Sequence, residues 1–513
     1  MKSKWNKNIY RSLLILSFLG INAMIIYGIS SVWAYLNSGA DKSSILHIQG
    51  NIEETYLPEV QWVDLENPGR PMEAQTLKEI QTDYLRSWYV RNIALSNNDS
   101  YGVADYYTDS MRIKIERVLD LNKQYNTSVK QTSLAHHPSL DFYSADGSLV
   151  VFTDRHVETY KEIWQNDQML LKKKDTSSYK VLMLLEDGFW RIRHMVEIEE
   201  PNEEVQSSIK SNTSQSDIAK MKGLNYYPSK SAWDTFGSNF NKQVIANDFA
   251  QIRKMGLNSV RVFVPYEEFG KAKVSNEYMA KLKIMLDLAN TEKLKVLVTL
   301  FDFYGNYDLM DWTLTHRHAE IIVKTLKDHP ALLGWDLKNE PDLDFDSRGK
   351  ELVLAWLEEM NKQVKKWDPI HPVTIGWSSP EAGILLGEKV DFISFHYYQD
   401  PSEFLGKYEA LKDRVGDTPI LLGEYGYSSY SGIWNAYLGS EKRQADYYRE
   451  MQQHLNEEGI PYLFWTLYDF KEVPNPVVGR LPWRKQRQKY FGVISIDGRE
   501  KPSYQYLDLS TQK

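Results

Sequence analysis

Residues 218–513 are predicted to form an α/β fold, a closed barrel of eight parallel strands wrapped by helices, and two observations predict it. Short apolar strands alternate with amphipathic helical stretches such as "NKQVIANDFAQIRKMG" and "GKELVLAWLEEMNKQVKKW", and the alternation runs for roughly 290 residues, the count and length of a (β/α)8 barrel. Polar and aromatic residues also gather at the ends of the strands, while the strand starts are Leu, Val, Ile and Phe. The C-terminal rim of the strands is where such a barrel carries its function.

The strands read in order as "GLNYYP", "SVRVFVP", "KVLVTLFDF", "LLGWDLKNEP", "PVTIGWS", "FISFHYY", "PILLGEYG" and "YLFWTLYDF". An open doubly wound sheet is the competing arrangement, but it usually has a glycine-rich turn after its first strand, and "NYYPSKSAW" has none.

The preceding half of the chain divides by composition. A basic tail, 1–11, carries Lys2, Lys4, Lys7 and Arg11 and leads into 12–36, where Ser12 to Leu36 has no charge. About 25 such residues are enough to span a hydrocarbon core as a helix, and the positive flank predicts an N-terminus inside and the rest of the chain outside the cell membrane. The alternative is secretion after cleavage near Ser38-Gly39-Ala40. After a connector, 37–74, comes an α+β domain at 75–200. It begins with the helical "AQTLKEIQTDYLRSWYVRNIAL" and "MRIKIERVLDLNKQY" and continues in strands, "SLVVFTDRHVETYKEIW", "QMLLKKK", "YKVLMLLEDG" and "FWRIRHMVEI". Asp187-Gly188 is a hairpin turn by composition. His136 and His137 are read as a surface pair on a loop. The order of elements resembles the cone-shaped NTF2-like domains, and the domain is expected to serve as a spacer or for association with itself or a protein partner. An acidic, then Ser/Asn/Thr-rich linker occupies 201–217.

Composition limits the function. The net charge of −8 and pI of about 5.9 exclude a nucleic-acid binder. The absence of cysteine excludes disulfides, thiolate metal sites and a Cys nucleophile. The 33 Tyr and 15 Trp suit a surface on which sugar rings stack. No cofactor or metal is expected. His316 and His318 are the nearest approach to a His-x-His metal motif, and they fall in a loop or helix start.

Two glutamates mark the rim, Glu340 after strand four and Glu424 on strand seven, and those strands face one another across a barrel. Paired carboxylates across a cleft perform glycoside hydrolysis, one as a protonated acid and the other ionised. Trp335, Trp377 and Trp465 are candidate apolar walls, and Arg261, His396 and Tyr398 supply charge and hydrogen bonds. Trp312 and Trp483 are candidate stacking platforms.

These residues carry a resemblance. Gly223 to Leu507 resembles the clan A glycoside hydrolases, most closely the family 5 (cellulase and mannanase-like) type. "LKNEP" matches the Asn-Glu-Pro signature of strand four, "LLGEYG" the strand-seven glutamate, "FHYY" the His-x-Tyr of strand six, "VRV" the strand-two arginine and "FWTLYD" the strand-eight tryptophan. The resemblance implies that Glu340 is the acid/base and Glu424 the nucleophile. It implies that Asn339 binds the sugar 2-hydroxyl, that Arg261 and Tyr398 bond to Glu424, and that His396 and Trp465 line the subsite of the attacked sugar. It further implies retention, with carboxyl groups about 5–5.5 Å apart. One departure concerns strand three, where a family histidine is replaced by "TLFDFYGN", leaving Asp302, Tyr304 or Asn306 as substitutes. The function expected is a membrane-anchored β-glycosidase hydrolysing or transglycosylating a glucan or mannan. The alternative is a non-catalytic carbohydrate-binding or polysaccharide-assembly protein on a glycosidase-like barrel.

Overall fold

The computed structural model describes residues 2–37, 55–67, 70–199 and 215–510. Most of the linker at 201–217, and Ser38-Gly39-Ala40, lie outside the described residues.

Lys2–Asn37 is one helix of 36 residues. Between Arg11 and Ile29, apart from Tyr27, its side chains are described, and Leu13, Leu16, Phe18 and Ile25 are largely exposed. Among the described residues no helix is long and apolar enough to cross a membrane, and the crossing expected of 12–36 finds no support there.

The described residues from 60 to 199 form one compact unit. Its five-stranded sheet has the order β1 (Glu59–Val60), β2 (Thr127–Tyr143), β3 (Leu149–Gln165), β4 (Gln168–Glu186) and β5 (Phe189–Ile198), and β2 to β5 pair antiparallel. The helix Ala74–Asn97 buries Ile80, Tyr84 and Trp88, and Tyr84 meets Phe152 of β3 edge-on at 4.9 Å between ring centres. The α+β reading of this region therefore describes its architecture. Asp187 and Gly188 both have positive φ, 54° and 83°, the geometry of the primed two-residue hairpin. "QMLLKKK" and "YKVLMLLEDG" are one strand rather than two. The polar Asp175–Ser177 between them pairs with Val157–Thr159 of β3, so cross-strand pairing overrides a locally loop-like composition.

His136 corrects a second expectation. It lies on β2, not on a loop, and is fully buried. Its Nδ1 lies 2.6 Å from Asp154 Oδ2 and its Nε2 2.8 Å from Ser133 Oγ. Asp154 also accepts from the Tyr84 hydroxyl (2.7 Å) and the His137 backbone N–H (2.8 Å). A buried carboxylate is tolerated only when its lone pairs are filled in this way. Asp154→Ala strands those donors and is expected to lower the stability of this unit by roughly 3 kcal/mol or more. Urea unfolding, followed by a probe within residues 60–199, measures it.

The described residues from 215 to 510 belong to the second unit. Its strands are β6 (Lys222–Asn225), β7 (Ser259–Pro265), β8 (Lys295–Asp302), β9 (Leu332–Asn339), β10 (Val373–Trp377), β11 (Ile393–Tyr397), β12 (Ile420–Tyr425) and β13 (Tyr462–Phe464). They pair in parallel, in sequence order, and β13 returns to β6 to close the barrel. All residues of β7 and β12 are buried, as expected of strands covered by helices outside and side chains inside. Gly223 permits the β6–β7 approach, because a Cβ there would stand 1.8 Å from the Ser259 carbonyl oxygen. Asn241, Ser275 and Ser440 cap the helices that follow them by accepting backbone N–H groups.

The two ends of the barrel differ. Met221, Leu297, Leu333, Phe392, Leu421 and Leu463 plug one end. Tyr227, Trp233, Phe263, Trp465, Phe470 and Phe491 cluster separately, beyond the strand ends.

Candidate active site

Arg261 stands in the middle of β7, where ordinary alternation points its side chain into the barrel, and it is fully buried. Its Nε donates to Asp336 Oδ2 at 2.8 Å and Thr299 Oγ1 at 3.0 Å. Nη1 donates to Asn225 Oδ1 at 3.1 Å and Glu424 Oε2 at 3.4 Å, and Nη2 to Asn339 Oδ1 at 2.9 Å and to Asp336. Asp336 fills its second oxygen with the Gly376 N–H at 2.9 Å. The guanidinium lies flat against β10 because residue 376 has no side chain, and a Cβ there would come within 2.6 Å of Nη2.

Asp336 and Asn339 reach the same arginine although three positions separate them, which strict alternation forbids. In the pairing with β10, Asp336 lies opposite Thr374 and Asn339 opposite Gly376, so three steps on β9 match two on β10. This is the irregularity the sequence requires before Pro341. Glu340 follows with φ 47° and ψ 51°, left-handed, and its N–H donates to the Gly376 carbonyl at 2.7 Å. That conformation costs a non-glycine residue roughly 1–2 kcal/mol, and it turns Glu340 toward the strand-six side of the barrel mouth.

There His396 Nδ1 lies 2.8 Å from Glu340 Oε1 and 3.8 Å from Glu424 Oε2. The Tyr398 hydroxyl donates to Glu424 Oε1. One oxygen of Glu340, one of Glu424 and a ring nitrogen of His396 lie within 4.8 Å of one another. Such a trio is also a set that can hold a divalent ion. Here Tyr398 and Arg261 already fill Glu424 with O–H and N–H donors, which suits an anionic carboxylate rather than a metal ligand. Burial raises Glu424 above its ordinary 4.5, helped by the Glu340 charge and opposed by His396, Arg261 and Tyr398. Burial would raise Glu340 too, but the hydrogen bond and charge of His396 override it and hold Glu340 low. His396 itself is raised above 6.5, because the two carboxylates outweigh its burial. The two carboxylates thus favour the protonated form of His396, one hydrogen bond from Glu340.

A cleft of about 340 Å³ opens over these groups, floored by Tyr227, Phe263 and Trp465 and walled by Trp233, Tyr398 and Phe491. Of the expected site residues, Glu340, Glu424, Asn339, Tyr398 and Trp465 line it, and Arg261 and His396 support it from below. Three placements are corrected. Trp377 is fully buried and does not reach the cleft, since its position on β10 is not on the interior row that holds Gly376. Trp312 is fully buried at the start of a helix, donating to the Tyr307 carbonyl at 3.0 Å. Trp335 is likewise core, bonded to Asp368 at 2.9 Å. Trp483 is exposed. His316 and His318 lie on the helix Trp312–Leu326, and His318, whose ring nitrogens lie 2.9 Å and 3.2 Å from the Lys271 and Leu300 carbonyl oxygens, is lowered to about 4 by burial. Of the strand-three candidates, Asp302 lines the cleft and accepts from Tyr227 at 3.3 Å, whereas Tyr304 packs on Trp356 and Asn306 turns to Asp311.

Sequence reasoning missed Asp336, Asn225 and Thr299. A charged or polar residue on an inward-facing strand position, with an arginine on the neighbouring strand, was the available signal. Tyr227, Trp233 and Phe491 come from loops and carry no such periodicity.

The fold and these carboxylates define the chain's class. Residues 217–471 match the family described as Cellulase (glycosyl hydrolase family 5), and the barrel belongs to that family of glycoside hydrolases. Human beta-glucuronidase is 24% identical over 279 residues, 50% of this chain and 40% of that relative. Mannan endo-1,4-beta-mannosidase 7 of Oryza sativa subsp. japonica is 31% identical over 137 residues, 26% of this chain and 33% of that relative. The chain thus spans between a third and two fifths of these relatives' length. Among solved structures, the exo-beta-1,4-mannosidase Op5Man5 from Opitutaceae bacterium strain TAV5 aligns with a TM-score of 0.47 at 18% identity, covering 59% of this chain and 62% of that one. The family match begins at residue 217 and lends nothing to the NTF2-like resemblance of the first unit.

Asp302 supplies a test of the site's electrostatics. Burial lifts its carboxyl from 3.8 to about 6, against the charges of Lys338 and Arg261 and the Tyr227 bond. A raised carboxyl favours the folded state below pH 3.8, and the folded state loses that advantage as pH climbs toward 6. The penalty above pH 6 is about 3 kcal/mol. Asp302→Asn is therefore expected to stabilise the barrel by up to about that amount at pH 8 and very little at pH 3.5, read from denaturant midpoints at the two pH values.

Proposed function

We propose that the chain is a retaining β-glycosidase that hydrolyses a β-linked polysaccharide such as a glucan or mannan, or transfers its sugar to another sugar. The observation that carries the reading is the approach of the Glu340 and Glu424 oxygens to within 4.8 Å beneath an aromatic cleft. An inverting enzyme needs room for a water, with carboxyl groups about 6.5–9.5 Å apart, while a retaining one holds them about 5–5.5 Å apart.

In the first step Glu424 attacks the anomeric carbon and Glu340 protonates the departing oxygen. His396 supplies Glu340's proton along their 2.8 Å bond, which turns an imidazolium–carboxylate pair into a neutral imidazole and a carboxylic acid. Arg261 and the Tyr398 hydroxyl hold Glu424 ionised and aimed. In the second step Glu340 takes a proton from water, or from a sugar hydroxyl, which then displaces Glu424 with net retention. Asn339, anchored through its oxygen by Arg261, stands beside the acid to bind the sugar 2-hydroxyl. Trp465 forms the floor under the attacked sugar. The mannosidases among the relatives support a mannan as readily as a glucan.

Export and attachment at the cell membrane, with the N-terminus inside and the barrel outside, belong to the same proposal. They rest on the uncharged Ser12–Leu36 behind Lys2, Lys4, Lys7 and Arg11.

Glu340→Gln and Glu424→Gln are each expected to reduce hydrolysis of a responsive β-glycan by roughly 10²-fold or more, with unchanged thermal unfolding. Wild-type turnover in both variants refutes the assignment. Azide should rescue Glu424→Gly on an activated glycoside, giving the α-glycosyl azide. The pH profile of kcat/KM should be bell-shaped, because Glu424 must lose its proton and the His396–Glu340 pair must keep one. Both groups are raised, so the rising limb is expected above 4.5 and the falling limb above 6.5. A falling limb below pH 6.5 in initial-rate profiles contradicts this.

A further inference from the structure

Two loops form the rim of the cleft on the side of β12 and β13. The loop after β12, Gly426–Ser440, contains no charged residue at all. The segment after β13, Val473–Ile496, contains Arg480, Arg484, Lys485, Arg487 and Lys489 and no aspartate or glutamate. In a chain whose net charge is −8, this stretch carries five positive charges, with Glu472 immediately before it and Asp497 immediately after it. Among the described residues Arg480, Arg484, Arg487 and Lys489 have no acidic partner, and Lys485 is engaged only by the neutral Asn475 at 2.5 Å.

The rim is built onto the barrel. The Ser428 hydroxyl donates to the Arg487 carbonyl at 2.6 Å, the Ser429 N–H donates to the Tyr490 carbonyl at 2.9 Å, and Gln444 reaches the Phe491 carbonyl at 3.2 Å. The short helix Pro482–Gln488 presents two rows, Trp483 with Arg487 and Arg484 with Gln488, each pair one turn apart. Arg487 and Gln488 line the cleft itself, so the row continues from the cleft outward to Trp483. Trp483 pairs with Trp434 of the other loop at 5.9 Å between ring centres, and both remain exposed, at 44% and 47%. Two large exposed aromatics in contact, flanked by unpaired arginines and continuous with a cleft, are costly to leave bare.

We propose that this rim receives the acidic groups of the glycan: the substrate is an anionic β-linked polysaccharide, with sugar oxyanions beside the cleaved bond. Carboxylates of uronic acid units and sulfate or phosphate esters share that chemistry. Each matches the planar fork of an arginine, while the indoles take the face of the ring that bears it. This rests on the glycosidase reading of the cleft but is tested apart from it, by binding.

The full chain with Glu424→Gln is titrated with matched glycans, namely neutral β-mannan, the same mannan oxidised to uronate at C6, and the same mannan sulfated. At about 50 mM NaCl at least one acidic glycan should bind about tenfold tighter than the neutral one, and about 500 mM NaCl should remove most of the difference by screening. Whichever acidic polymer is preferred identifies the oxyanion. Combining Arg480→Gln, Arg484→Gln and Arg487→Gln should bring acidic and neutral glycans to within about twofold, with an unchanged melting temperature as the check on folding. Equal binding at low salt overturns the proposal. So does a preference that survives the triple substitution, or binding of anionic phospholipid vesicles without binding of acidic glycan. If the triple variant does not fold, the salt dependence of the Glu424→Gln chain decides. Absent turnover by the wild-type chain, with acidic glycan still bound, refutes the glycosidase reading and leaves only the recognition of acidic glycan by the rim standing.

Discussion

The barrel mouth is organised around one buried cation. Arg261 is bonded to side chains from β6, β8, β9 and β12 at once, so four strands agree on register through a single guanidinium. Withdrawing one partner from a buried charge pair costs about 3–5 kcal/mol, so the constraint is stiff. Its charge is divided unequally, with Asp336 at 2.8 Å and Glu424 at 3.4 Å. Because Asp336 takes the closer share, Arg261 stabilises the Glu424 carboxylate only partly, and burial still raises Glu424. A site with Glu424 as sole counter-ion would make a more firmly ionised and less reactive carboxylate.

The rest of the unit follows from keeping that polar centre dry on one side and open on the other. The apolar plug at the strand starts keeps water from reaching Arg261 from beneath. Above it, the rings from Tyr227 to Phe491 border the cleft. Low dielectric around the guanidinium strengthens its bonds, and the same burial raises Asp302 and Glu424 together. Asp302 contributes no acidic role to the scheme, and its cost in stability is the kind that accumulates at a site shaped for ligand rather than for folding.

The barrel was legible because its evidence is periodic: apolar strands at regular spacing, with Glu340, His396, Tyr398, Glu424 and Trp465 at their ends. Positions fixed by strand geometry were placed well. The tryptophans were not, because a tryptophan looks alike in sequence whether it faces the cleft, as Trp465 does, or the helix layer, as Trp335 and Trp377 do. One residue of register decides which. Loop residues such as Trp233 and Phe491 reach the cleft through turns that no period describes. In the first unit, β2 was missed altogether. Its run from Thr127 to Tyr143 mixes polar residues, histidines and a proline, and bonds to Asp154 and Ser133 make a core position of His136.

The left-handed backbone of Glu340 bears on descent as well as on geometry. Glycine or asparagine would sit at φ 47° with less strain, so folding alone gives drift a constant incentive to discard the carboxylate. A lineage that stopped using the cleft would be expected to lose this residue first, and to become sturdier as it did so. The Glu340 carboxylate stands on a left-handed backbone that glycine or asparagine would occupy with less strain.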